Sequence, residues 1–322
     1  MLVFLCLVGA AVGALKASGN GVGWAFSGAG GRIAQHAALM SALLNGTYPG
    51  GAPMRPDFLA GASSGALSAV ILNAVIETQD KGLGSKGVTF DDYKQFLFNV
   101  QSSDIYDANP LTIPGNIAQG FILDATPFAH TINRWLTKMS YFTLGSLYIP
   151  TCISVVDRDT GFTLRLWSDD PKYAQLDLLE VLMASTALPI AFSPRQITGF
   201  PNRFFIDGGT GADTLPFTPL LERPEVGTVY AMVYNSALTS GGSGLPTPLN
   251  SILLLANALA VVNDFRVDLF VAAIEVAKNS NKTSFLYAPV LPDVYSTLDF
   301  KDEKQEFLQT LNYTRFFGPS QL

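Results

Sequence analysis

The sequence is poor in the residues from which many catalytic and metal sites are built. Its 322 residues include two histidines, His36 and His130, and two cysteines, Cys6 and Cys152. Two cysteines exclude a disulfide scaffold and a cysteine-rich zinc site. Two histidines leave little material for a multi-histidine metal site or an imidazole-dependent triad. Charge is scarce too, at 14% of residues, where a typical soluble domain has about 25%. Basic residues number 20 against 26 acidic ones, a net charge of −6 with no Lys/Arg run. The electrostatic footprint of a nucleic-acid binder is therefore missing. No apolar run approaches the ~20 residues that span a bilayer as a helix. Against these absences, 48% of the chain is hydrophobic. With so much to bury and so little charge to solvate, disorder is excluded as the main state. The length fits one large or two modest domains at about 100–200 residues each.

The longest apolar run, residues 1–15, is too short to span a membrane. Val12 and Ala14 stand at the −3 and −1 positions of a cleavage after Ala14. Residues 1–14 therefore read as a secretory signal peptide, although its start lacks Lys and Arg. Three N-x-S/T sequons, at Asn45, Asn281 and Asn312, agree with a secretory route ending outside the cell or in a vacuolar or lysosomal lumen. Without Cys6, Cys152 is the remaining thiol. Its neighbours over 149–156 pattern as a buried strand, so an inert core cysteine is expected.

Residues 21–26 read as a short strand running into the glycine-rich turn Ser27-Gly28-Ala29-Gly30-Gly31-Arg32. Ile33, Ala37, Met40 and Leu44 then recur at helical spacing up to a stop at Asn45-Gly46. A second strand, Phe58-Leu59-Ala60, meets a tight turn over 61–65 and an apolar helix over 66–78. Two strand–turn–helix units in succession mark an α/β fold. Residues 80–145 read as an insertion or cap with helices near 91–100 and 126–139, and His130 on the second is expected to be a hydrogen-bonded structural residue. Strands follow at 149–156 and, after a hairpin at 157–161, at 162–166, where Phe162, Leu164 and Leu166 share one face. A helix over 176–185, a strand over 204–206 and a strand over 226–234 complete this part. Residues 236–249 form a Ser/Gly/Pro-rich loop expected to be mobile, and a long helix carries Ile252 to Val276 on one face. The last forty residues show no chemical motif.

Gly61-Ala62-Ser63-Ser64-Gly65 fits G-x-S-x-G, a weak signal alone. Between a strand and a helix it gains weight, because a nucleophile elbow occupies that position. The small residues permit a sharp turn that projects Ser63, and the following helix directs N–H groups and its positive end at that oxygen. Asp207, at a strand end before Gly208 and Gly209, offers a carboxylate base; an ordinary Asp-Gly-Gly turn is the competing reading. The loop at Gly28, Ala29, Gly30 and Gly31 offers backbone donors for an oxyanion. A dinucleotide loop is disfavoured there: Ile33 takes the last glycine position of G-x-G-x-x-G, and no acid follows about 20 residues on.

In this order, the glycine loop, the elbow and Asp207-Gly208-Gly209 resemble the patatin-like phospholipases, or lipid acyl hydrolases, over residues 20–235. The stretches at 120–124, 157–161 and 184–189 look similar as well. The resemblance implies a three-layer α/β/α sandwich with a central, mostly parallel sheet and a helical cap insertion over 80–145, within one domain spanning 15–322. It implies Ser63 as nucleophile, Asp207 as general base, an oxyanion hole at 28–31, Arg32 as the basic residue beside it, and Gly61 and Gly65 as the elbow glycines. It also implies no metal and no cofactor, with phospholipid or galactolipid esters met at a membrane or micelle interface. Ala29 and Ile33 depart from the family's glycines; a backbone donor survives at Ala29 if its φ is negative.

Two other readings stand beside this one. A Ser–Asp–His α/β-hydrolase would need an acid such as Asp104, Asp107 or Asp124, followed by His130. A lipid-binding or storage protein would keep the fold and turn over little.

Overall fold

The computed structural model describes residues 19–234, 282–292, 298 and 300–322. The expected leader over 1–14, the loop over 236–249, the helix carrying Ile252 to Val276 and Asn281 lie outside the described residues. The strands are β1 (Gly21–Phe26), β2 (Phe58–Ala62), β3 (Thr151–Asp157), β4 (Thr163–Trp167), β5 (Phe205–Asp207), β6 (Val226–Met232), β7 (Thr283–Tyr287) and β8 (Ser320–Gln321). They form one sheet in the order β4-β3-β2-β1-β6-β7-β8, with β5 also pairing with β3. β3, β2, β1, β6 and β7 are parallel. β4 and β5 lie antiparallel to β3, and β8 antiparallel to β7. This is a mixed α/β fold with a central, mostly parallel sheet flanked by helices.

Alternation along the strands divides the apolar residues between two faces. Trp24 and Phe26 of β1 join Leu59, Ile153, Val155, Tyr230 and Met232 in the larger core. That face is covered by α1 (Ile33–Asn45), α2 (Ser64–Asp80), α6 (Leu178–Ser185) and α8 (Glu303–Thr314). The other face carries the smaller Ala25, Ala60, Cys152 and Ala231, and meets Phe217 and Leu220 at α7 (Thr218–Glu222). Cys152 is wholly buried in that layer, and burial raises its thiol pKa, in keeping with an inert core residue.

Most of the expected boundaries hold to within two residues. α1 stops at Gly46, whose φ of 63° lets its N–H cap the carbonyls of Ala42 and Leu43. Between α2 and β3 lie α3 (Phe90–Asn99), α4 (Ile113–Ala118) and α5 (Thr126–Met139). α3 opens on a reciprocal Thr89–Asp92 capping box. α4 opens on Ile113-Pro114-Gly115, because proline is tolerated in a helix's first turn. Two local readings change. Phe162 is 72% exposed, since it precedes an edge strand. His130 is exposed, because the buried stripe of α5 runs through Thr131, Ile132 and Leu136.

β1 is the switch point of the sheet. From β1 the chain moves through β2 and β3 to one side, then returns to β6 on the other. Such a reversal opens a crevice beyond the carboxyl ends of the strands, where ligands bind in open α/β sheets. No helix among the described residues is long and apolar enough to cross a membrane.

Candidate active site

At the end of β2 the turn is tighter than the sequence indicates. The strand continues through Gly61 and Ala62, and α2 begins at Ser64, so the reversal falls on Ser63. Ser63 has φ 56° and ψ −131°, a left-handed conformation that a non-glycine residue adopts only where its surroundings enforce it. The enforcement is steric and polar. A Cβ on Gly61 would lie 2.3 Å from the Gly65 carbonyl oxygen, and one on Gly65 would lie 2.3 Å from that of Phe26. The Ser63 N–H donates to Ser185 Oγ at 3.0 Å, and Ser185 Oγ donates to the Ser154 carbonyl at 2.8 Å.

The short strand β5 brings Asp207 to the same place. Ser63 Oγ donates to Asp207 Oδ2 at 2.7 Å, and the Gly209 N–H donates to Oδ1 at 2.7 Å. One carboxylate oxygen is thus fixed by the backbone while the other faces the serine. Asp207 is buried, and desolvation pushes its pKa up to about 6, against the lowering effect of the bonds from Ser63 and Gly209. Gly208 passes so close to β3 that a Cβ would lie 2.0 Å from the Ser154 carbonyl oxygen. Asp-Gly-Gly is therefore not an ordinary surface turn: close backbone approach requires its first glycine.

The structure narrows the expected oxyanion loop. The Gly28 N–H donates to the Thr214 carbonyl at 2.9 Å, and the Ala29 N–H donates to Ser64 Oγ at 2.9 Å. These two amides are engaged as structural bonds, which leaves Gly30 and Gly31 as the loop's available donors. Gly30 has φ 57°, a conformation suited to glycine, whereas Ala29 has φ −133° and tolerates a side chain. Gly28 also has little room for a side chain, since its Cβ would lie 3.3 Å from Ser63 Cβ. Ile33 is a packing residue at the start of α1.

Arg32 is buried beside this loop, its guanidinium 4.0 Å from the centre of the Tyr234 ring. The C-terminal helix reaches the same region. Gln35 Nε2 donates to Glu306 Oε1 at 2.8 Å. Glu306 is buried, which raises its pKa to about 8, with Gln35 and the Arg32 charge acting against that rise. The final forty residues thus place an acid behind the glycine loop. In the sequence, Glu303 and Glu306 look like a solvated helix face, although Phe307, Thr310 and Thr314 at helical spacing mark a buried side.

Neither histidine touches the Ser63–Asp207 pair. His130 is on the surface of α5. His36 is buried, its Nδ1 3.2 Å from Ser68 Oγ, and burial lowers its pKa to about 3. The His-dependent triad therefore finds no imidazole at the serine. Asn45 and Asn312 are both exposed, at the end of α1 and on α8. Among the described residues no group of acids, histidines and cysteines is arranged to hold a metal ion.

Above Ser63 opens a cavity of about 150 Å³. Its floor is Gly28, Ala29, Gly30, Ser63 and Asp207, and its walls include Leu97, Val100, Ile105, Phe128, Phe192 and Phe300. α3, α5 and the segments beside them supply much of this wall. Their sequence is apolar without a motif, so position by position they resemble any core residue. The arrangement presents a carboxylate-paired hydroxyl, free backbone donors and an apolar recess, the components that acyl transfer requires.

The sequence matches the family model of the patatin-like phospholipases over residues 25–221. Comparison with curated protein sequences gives no match. Among solved structures, the crystal structure of VipD from Legionella pneumophila aligns with a TM-score of 0.39 at 16% identity, covering 96% of this chain and 72% of that one.

Proposed function

The chain belongs to the patatin-like phospholipase family, and on that premise we propose that it is a serine acyl hydrolase that cleaves fatty-acyl esters of phospholipids or galactolipids with a Ser63–Asp207 dyad. The observation that carries this reading is the direct 2.7 Å bond from Ser63 Oγ to Asp207 Oδ2, with no imidazole between them. As Ser63 Oγ attacks the ester carbonyl, Asp207 takes its proton. The tetrahedral oxyanion faces the N–H groups of Gly30 and Gly31 and those of Ser64 and Gly65 at the start of α2; the next amide, Ala66, already donates to the Ser63 carbonyl at 3.0 Å. Collapse releases the alcohol, which takes the proton from Asp207. Water then attacks the acyl-enzyme, giving its proton to Asp207, and the fatty acid leaves as Ser63 recovers its hydrogen. A base with a pKa of about 6 is largely ionised at neutral pH, yet more basic than an ordinary aspartate. The secretory leader over 1–14 and glycosylation at Asn45, Asn281 and Asn312 belong to the same proposal.

Product analysis by mass spectrometry on a mixed panel of phosphatidylcholines and galactolipids tests it. The reading expects free fatty acid and the matching lyso-lipid from the wild type and neither from Ser63→Ala. A folded wild-type protein that releases no fatty acid from the panel would contradict it and favour a lipid-binding role.

A further inference from the structure

Between Asp107 and Asp124 the chain leaves the body of the protein and returns. Residues 108–123 contain no Asp, Glu, Lys or Arg. The ends are tied by reciprocal backbone bonds, Asp107 N–H to the Asp124 carbonyl at 2.8 Å and Asp124 N–H to the Asp107 carbonyl at 3.1 Å. The interior is ordered by α4 and by Asn116 Nδ2, which donates to the Ile122 carbonyl at 3.1 Å. Leu111 is nevertheless 88% exposed and Ile117 55% exposed. An exposed excursion with no charged residue, presenting two large aliphatic side chains beside an apolar cavity, calls for an apolar occupant.

The excursion is continuous with the cavity. Ile105 and Phe128, on either side of its base, both line the wall. The N–H groups of Ile122 and Leu123 donate to the Ala191 carbonyl at 3.4 and 2.8 Å. Ala191 stands between Leu188 and Phe192, two further wall residues. Beside it Ile190 has φ 70°, a conformation a β-branched residue rarely adopts, and is 46% exposed. The exposed aliphatic residues and the recess above Ser63 thus share one local framework.

We propose that residues 108–123, together with Ile190, are the surface by which this protein docks on an uncharged or zwitterionic lipid surface. Leu111 and Ile117 enter the boundary between headgroups and acyl chains and hold the cavity against the lipid. This rests on the reading that the cavity receives lipid esters. Two features select a neutral lipid surface over an anionic one. The excursion has no basic residue, and the whole chain carries a net charge of −6. Attraction to anionic headgroups is therefore lacking, and apolar insertion supplies the binding.

The test is co-sedimentation of the full chain with phosphatidylcholine vesicles, beside hydrolysis of a short-chain p-nitrophenyl ester dissolved as monomers. The wild type should partition onto the vesicles equally well at about 0.05 and 0.5 M salt, since screening acts on charge and not on insertion. Leu111→Asp with Ile117→Asp should lower the partition coefficient about tenfold or more and leave hydrolysis of the soluble ester unchanged. Ser63→Ala should bind vesicles like the wild type. Leu111→Trp, which adds no charge, should show blue-shifted tryptophan emission on vesicles. Unchanged partition of the double variant, an unshifted Trp at position 111, or a wild type that does not bind would overturn the proposal; the last result would assign the patch to a protein partner. A wild type that binds vesicles but hydrolyses no ester would contradict the proposed function while upholding the docking surface.

Discussion

At the floor of the cavity, Ser63, Asp207 and the glycine loop sit at the ends of β2, β5 and β1, and backbone atoms enforce their positions. Gly61, Gly65 and Gly208 each pass within a Cβ's reach of another segment's carbonyl. At the roof, Val100, Ile105 and Phe300 form a small apolar cluster of their own, apart from the main core, with Phe128 packed against it. One region is held by close backbone approach and tolerates almost no added atom. The other is held by side-chain contact and can change size while remaining apolar. Under the proposed function, the first fixes the chemistry, and the second is free to set which acyl chain fits.

The contrast breaks most sharply at the floor. Asp207→Asn keeps the shape but removes the base, and kcat should fall by about 10²–10⁴, the usual contribution of a positioned general base. His130→Ala, on the exposed face of α5, should leave steady-state rates unchanged. A Ser–Asp–His mechanism expects the reverse pair of results.

A methyl group tests the same region sterically. Gly65→Ala would place its Cβ 2.3 Å from the Phe26 carbonyl oxygen. Thermal unfolding should show a loss of about 1–3 kcal/mol, and activity should drop as Ser63 is displaced. The roof should respond more gently and selectively. Val100→Phe fills part of a recess of about 150 Å³. It should lower kcat/KM for long-chain esters about tenfold relative to an acetyl ester, with little effect on the acetyl ester itself.

The smallest effect is expected behind the floor, at Glu306. Burial raises its folded pKa from 4.5 to about 8. Between those values the unfolded chain releases this proton while the folded chain keeps it. Its contribution to stability is complete below about pH 4.5 and is lost as pH rises through about 8. Glu306→Gln keeps an acceptor for Gln35 and has no proton to lose. Differential scanning calorimetry should find the decline of Tm with pH shallower in the variant, by up to about 2 °C per pH unit.

Legibility in the sequence follows the same division. Ser63, Asp207 and residues 28–31 were readable because close approach demands glycine or another small residue at fixed spacing, which leaves short motifs. The helical and strand periods located β1, α1, α2 and β3 for the same reason: burial imposes a period. The engagement of the Gly28 and Ala29 amides was not readable, because their partners, Thr214 and Ser64, are chosen by tertiary packing. Nor were the roof residues, whose apolar character is shared by half the chain. Glu306 was hidden by its own charge, since an acid near a helix start ordinarily faces water.

The central claim is that Ser63 is the nucleophile and that Asp207 activates it directly. Labelling with a fluorophosphonate, with the adduct located by tandem mass spectrometry across a pH series, tests both parts together. The account predicts one adduct, on Ser63, forming at a rate that rises through about pH 6, the pKa of Asp207, then levels off, and that collapses in Asp207→Asn. An adduct on another residue, or a Ser63 rate independent of both pH and Asp207, would contradict it.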